Sequence, residues 1–461
     1  MTDFRDLADG LISELTADLV AGRRRPGERL PPSRDYAHAR GIAPSTASRV
    51  YAELVRRGVT VGEVGRGTFL RAGLSAGAGP LPGLPGLPAR ETEPAGITDL
   101  EVNFSVLAGQ EALLAPGLAR LADPAALLDA LQRGEARGTG AARQAVAGLL
   151  ARDGWAPQPE DLLFAGRGQQ ALAAVFAALL RPGDRLGMEA MTYPLAKGMA
   201  LRLGLQPQPI AMDEHGLRPD SVLAAHRAHP FPLLYLQSEL HNPLGHSMPV
   251  GRRAELAAVL RQLDILAVED AVYSFLAPDA PPPLAAHAPE RVVLVDSLSK
   301  RVAPGLTLGF LVAPPALRMR LAASLRLGGW TAGSFVLAVA TAWLEDGSIR
   351  ELQRRKQADG AARNALVRAV LGSAGLALQG DPRAYHLWLT LPGHWRAETF
   401  VAAAARRRIA VSPAAEFAVV PGHAPDAVRL ALASPPETAL RPALELLRDL
   451  ALAGPETGAI G

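Results

Sequence analysis

Lys300 is one of only three lysines in a chain of 461 residues whose other 45 basic residues are arginines. It stands in DSLSKRVAPGLTLGF, residues 296–310, flanked by Ser297 and Ser299. An isolated primary amine among small hydroxyl residues has an obvious chemistry: it can form an imine with the aldehyde of a cofactor. The residues around it must hold it in place. The apolar run RVVLVD reads as a buried strand ending at Asp296, so Ser297, Ser299 and Lys300 sit on the turn that leaves it. Pro304 and Gly305 make a second turn, and LTLGFLVA reads as the next strand.

Other chemical groups also fall at strand ends. LLFAG, RLGME, PLLYL, LAVED, VVLVD and LGFLV are strand candidates. They alternate with helical runs such as QQALAAVFAALL and GRRAELAAVLRQL. This predicts an α/β domain with a mostly parallel central sheet, whose site lies on the loops after the strands. Gly166-Arg167-Gly168-Gln169 follows one strand and opens a helix, a position whose backbone amides favour phosphate. Asp270 closes the LAVED strand.

The Lys300 segment resembles the cofactor-lysine motif S-x-S-K-x-x-x-P-G-x-R-x-G of fold-type I pyridoxal-phosphate aminotransferases. The resemblance implies pyridoxal 5'-phosphate as cofactor and assigns roles to several residues. Lys300 carries the imine. Gly168 and Gln169 cradle the phosphate, and Ser297 and Ser299 are further cofactor-binding residues. Tyr193 in EAMTYP stacks on the pyridine ring. Asn242, in HNPLG, and Tyr273 reach the ring oxygen, Asp270 pairs with the ring nitrogen, and Arg429 in DAVRLALA binds a ligand carboxylate. One position departs from the pattern: Thr307 stands where the family has a phosphate-binding arginine. Arg133, which replaces a tyrosine donated by a partner subunit in many relatives, Arg167 and Arg301 are the candidates to supply the missing cation. The histidines at 226, 229, 241 and 246 lack partners at metal-ligand spacing.

Residues 1–70 read as a separate domain. Leu7, Leu11, Leu15 and Leu19 make one amphipathic helix. A second starts near Ser33, a candidate N-cap, and a third runs from Ser45 to about Arg57 after the Gly41–Pro44 turn. Val59–Val61 and Gly67–Leu70 make a two-stranded wing. This is the plan of a winged helix-turn-helix, and PGERLPPSR, STASRVYAEL and GRGTFL resemble the GntR family. By that resemblance Ser45, Thr46, Ser48 and Arg49 face base edges in the major groove. Arg34 and Arg66 suit phosphate or the minor groove. Eleven arginines against nine acidic residues leave this segment at +2. So small a charge predicts weak DNA binding by a monomer and dependence on a dimer.

Residues 71–98 are rich in Gly, Pro and Ala and read as a semi-extended linker. Residues 99–461 form the large domain, with a small C-terminal subdomain expected from about Leu325. The net charge of the chain is only +3, so any DNA contact is local. The chain has no cysteine, which excludes disulfides and thiolate chemistry. A signal-like N-terminus and an apolar run long enough for a bilayer are both missing, so a cytoplasmic protein without membrane contact is expected.

A GntR-like reader joined to an aminotransferase-like domain resembles the MocR group of bacterial regulators. That implies a head-to-tail homodimer binding double-stranded operator DNA, with pyridoxal phosphate or a small amino compound as effector and no turnover. Two other readings stand beside it: an active aminotransferase carrying a DNA-binding appendage, and a regulator that holds no cofactor.

Overall fold

The computed structural model describes residues 4–20, 23–24, 27–57, 59–63, 67–70, 96–152 and 154–454. Arg66 and linker residues 71–95 lie outside these.

The N-terminal unit packs helices Phe4–Val20, Ser33–Arg40 and Pro44–Arg56 around Leu11, Leu15, Val50 and Leu54. Tyr51 ties the third helix to the chain before the second, its hydroxyl donating to Pro31 O at 2.7 Å. Gly41, at φ 62°, ends the second helix in the left-handed conformation, which a residue with a Cβ adopts only at a cost. Ser33 is not the N-cap: Pro32 takes that place, no side chain caps the turn, and Ser33 is the first helical residue. Strands Thr60–Glu63 and Gly67–Leu70 pair antiparallel with Thr60 opposite Leu70, so the wing lies one residue later on its first strand than expected.

In the large domain a seven-stranded sheet runs in the order Leu162–Ala165, Gly309–Val312, Val292–Ser297, Leu266–Asp270, Leu233–Leu236, Arg185–Glu189, Gln206–Ile210. Gly309–Val312 is antiparallel to both neighbours, and every other pair whose strands adjoin is parallel. Six of these strands are the six expected. The seventh, QPQPI, went unread because its two prolines argue against a strand. They are tolerated because it is an edge strand, where missing N–H donors break no ladder.

A second sheet, Ala377–Gln379, His386–Thr390, Ala427–Ala431, Ile409–Pro413, Thr98–Leu100, carries the small subdomain. Its last strand comes from the start of the large domain and pairs parallel with Ile409–Pro413. The boundary expected near Leu325 is too early. Leu325 is buried with the large sheet, and Leu337, Trp343 and Leu352 belong to the large core. The helix Ser348–Val367 spans the division: Ile349 and Leu352 sit in the large core, Val367 in the small one.

Within the chain the reader touches the helix Ala397–Arg406 of the small subdomain and the residue before it. The Arg396 guanidinium lies 4.2 Å from the Phe69 ring centroid, and a Cβ on Gly27 would come within 2.8 Å of Thr399 Cγ2. No helix among the described residues is long and apolar enough to cross a membrane.

Candidate functional site

The carboxyl ends of the central strands open into one cavity of about 340 Å³, within the size range of small-molecule sites. Lys300 lines it, on a one-turn helix, Leu298–Arg301, that follows the strand Val292–Ser297. Its Nζ donates to Asn103 O at 2.6 Å and stands 3.3 Å above the centroid of Phe104. Burial, then the charges of Arg429 and Lys356, hold its ammonium well below the usual lysine range. A free amine near neutral pH is the form that attacks an aldehyde.

Asp270 closes the neighbouring strand and is buried. It accepts from Tyr235 Oη at 2.9 Å and from Gln237 Nε2 at 3.4 Å. Desolvation pushes its carboxyl up to about 6, against the pull of those donors. Asn242 lines the same wall, its backbone N–H donating to Gln237 Oε1 at 2.9 Å. Tyr273 also faces the cavity, its hydroxyl accepting from Asn103 Nδ2 at 3.1 Å. Tyr193 takes a hydrogen bond from Gln169 Nε2 at 3.2 Å. Arg429 lies just behind. It donates to Asn242 Oδ1 at 3.2 Å, to Ser412 Oγ at 3.0 Å and to Glu101 O, while its buried Nε has no partner.

At the other end are Arg167, Gly168, Gln169, Ser297, Ser299 and Thr307. The helix Gly168–Leu179 starts here with no side-chain cap, leaving its first amides open to an anion. The approach is close: a Cβ on Gly309 would lie 2.3 Å from Arg167 C, so only glycine allows the loop to sit against that strand.

Two of the three candidate cations are not in this cavity. Arg301 points away from it, buried in an ion pair with Asp296 and donating to Ser274 Oγ at 3.3 Å. It therefore cannot replace the family arginine, because Asp296 already holds its charge. Arg133 is exposed and lines no part of this cavity.

Several residues of the site carry no signal in the sequence as read. Asn103 and Phe104 lie in EVNFSV, just past the linker, in a stretch without a motif. Lys356 had a signal, its rarity, which was spent on Lys300 alone. Buried in the long helix, it donates to Ser105 O at 2.7 Å, Lys300 O at 3.1 Å and Val302 O at 2.7 Å. Lys197 does the same elsewhere, donating to Glu416 O and Ala418 O at 2.8 Å each. Each lysine is thus anchored on backbone carbonyls, a task suited to a compact ammonium with three donors.

In the reader, Ser45, Ser48 and Arg49 are exposed at the start of Pro44–Arg56, Thr46 is half-buried and Arg34 is exposed. The Arg49 guanidinium rests 4.0 Å from the Phe4 ring centroid.

Residues 122–447 match the family aminotransferase class I and II. The HTH-type transcriptional regulator YdeF of Bacillus subtilis is 28% identical over 92% of this chain and 90% of its own length. The HTH-type transcriptional regulator TauR of Rhodobacter capsulatus is 30% identical over 65% of this chain and 66% of its own. An archaeal alanine:glyoxylate aminotransferase superposes with a TM-score of 0.71 at 19% identity, covering 78% of this chain and 91% of that one. The chain belongs to the aminotransferase class I and II family and, with its N-terminal reader, to the MocR group of GntR-type regulators.

Proposed function

We propose that this protein is a transcriptional regulator that reads operator DNA through residues 1–70 and senses pyridoxal phosphate, or an amino compound offered to it, in the cavity around Lys300. The observation that carries the reading is the course of residues 101–105. This segment follows the linker from the reader and runs along the cavity, with Phe104 in its wall. Glu101 O accepts from Arg429, Asn103 O from Lys300, and Ser105 O from Lys356. Phe104 lies under the Lys300 amine.

The residues suit the cofactor. Pyridoxal phosphate, when bound, supplies an aldehyde for a primary amine and a ring that accepts electrons. Asp270 is the group to hold a proton on the ring nitrogen, where a cation beside it offsets the burial that raises its own proton affinity. Asn242 and Tyr273 are placed for the ring oxygen, and Tyr193 for the ring face. The open helix start at Gly168, with Ser297 and Ser299, suits the phosphate.

One of these groups cannot serve a ligand and the 101–105 segment at once: Lys300 must leave Asn103 O to reach an aldehyde. Arg429 keeps its Nε free for a ligand carboxylate while it donates to Glu101 O. A ligand therefore favours a state in which the segment is released, and its differential affinity for the two states is what reaches the reader. The working unit is a head-to-tail homodimer, since a reader at +2 holds few phosphates alone.

A second reading, turnover as an aminotransferase, is favoured by one observation: Lys300, Asp270 and Arg429 all converge on one place. The two are separated by adding pyridoxal phosphate and amino acids to the purified protein. Sensing predicts an absorbance band in the imine region, absent in Lys300→Ala, that responds to amines without multiple cycles of ketoacid release. No Lys300-dependent band defeats the cofactor reading, and sustained ketoacid release defeats the sensing one.

A further inference from the structure

We propose that Arg167 is the cation that recognises the phosphate of the cofactor, taking the charge role that Thr307 has vacated. The inference rests on the cofactor reading above and adds a specificity-determining residue to it. Thr307 and Arg167 both line the cavity, and Gly309, two residues after Thr307, packs against Arg167. Thr307 offers a hydroxyl and no charge, and the serines beside it are neutral, so a phosphate there needs a cation from elsewhere in the wall.

The alternatives within the chain are accounted for. Arg301 is 3% exposed, committed to Asp296, and lines a different cavity of about 370 Å³ behind the Lys300 turn. Arg133 lines neither cavity of its own chain, so any phosphate contact it makes is in the partner subunit's cavity, beside Arg167 and not in place of it. Arg167 is exposed, faces the site, and makes no side-chain ion pair among the described residues. Its backbone is fixed, because Gly309 packs against its carbonyl carbon, while its guanidinium remains open to solvent. The carboxylate nearest in sequence to this end, Asp296, is already neutralised by Arg301. Arg167 is thus an available charge beside a helix start whose amides are uncapped, and an arginine fork suits phosphate oxygens.

The test is the affinity of the full-length protein for pyridoxal phosphate and for pyridoxal, read from the Lys300-dependent absorbance. Pyridoxal keeps the aldehyde and the ring and lacks the phosphate. Arg167→Ala is expected to weaken pyridoxal phosphate roughly 10- to 100-fold, the range of a charge-assisted bond, and to leave pyridoxal unchanged. Adding Thr307→Arg to that variant is expected to restore the loss, which also answers whether the variant folds. Equal weakening of both ligands, no weakening of either, or a double variant no better than Arg167→Ala overturns the proposal. A wild-type protein that gives no Lys300-dependent signal with either ligand overturns the cofactor reading itself, and this inference with it.

Discussion

The two ends of the Lys300 cavity are built differently. At the ring end Asp270, Tyr273 and Arg429 are buried and already bonded: Asp270 to Tyr235 and Gln237, Tyr273 to Asn103, and Arg429 to Asn242 and Ser412. At the phosphate end the wall is an uncapped helix start, two serines, a threonine and one exposed arginine. The first end is preorganised and costs little to use once the segment 101–105 yields. The second offers backbone amides and one exposed charge. Under the function proposed above, the first end is the one to recognise the ring and the amine, and the second the one to recognise the phosphate.

Substitutions at the two ends sharpen the contrast. The largest effect is expected at the support of the ring end. Lys356→Met removes the ammonium that joins Ser105, Lys300 and Val302 and takes its donor from two buried carbonyls and one part-buried one. Unpaired buried groups cost about 1–3 kcal/mol each, so a loss on the order of 3 kcal/mol or more is expected in denaturant unfolding. A change within about 0.5 kcal/mol, the range of an ordinary surface substitution, would mean the turn is held by something else. The smallest effect is expected at the other end. Thr307→Val keeps the shape and removes one neutral hydroxyl, so affinity for pyridoxal phosphate should fall by no more than about fivefold, the size of one neutral hydrogen bond. A loss of a hundredfold there would show that the phosphate end is as firmly built as the ring end.

Much of this site was legible in the sequence because the groups sit at strand ends, where an apolar run stops and a polar residue follows. Asp270, Lys300 and the Gly166–Gln169 loop are of that kind. The reader was legible because its three helices and wing follow periodicity and glycine placement closely. What escaped was held by tertiary contact alone. Asn103 and Phe104 lie some 200 residues from Lys300 in sequence, and nothing local marks them. QPQPI is a strand only because it is at an edge. The expected boundary near Leu325 falls inside the large domain because Leu325, Leu337 and Trp343 pack into its cores, a contact that no local pattern marks. Arg301, next to Lys300, is one of three candidate phosphate cations by sequence, and only its pairing with Asp296 commits it elsewhere.

If the Lys300 cavity is the control point of the reader, operator affinity follows its ligand. Operator affinity is measured by mobility shift for the wild-type protein and for Lys300→Ala, with and without pyridoxal phosphate and a panel of primary amines. The ligand is expected to change wild-type affinity several-fold or more and to leave Lys300→Ala unchanged, while both proteins bind the operator without ligand. An operator affinity that ignores the ligand in the wild type, or that responds equally in Lys300→Ala, contradicts that role of the cavity.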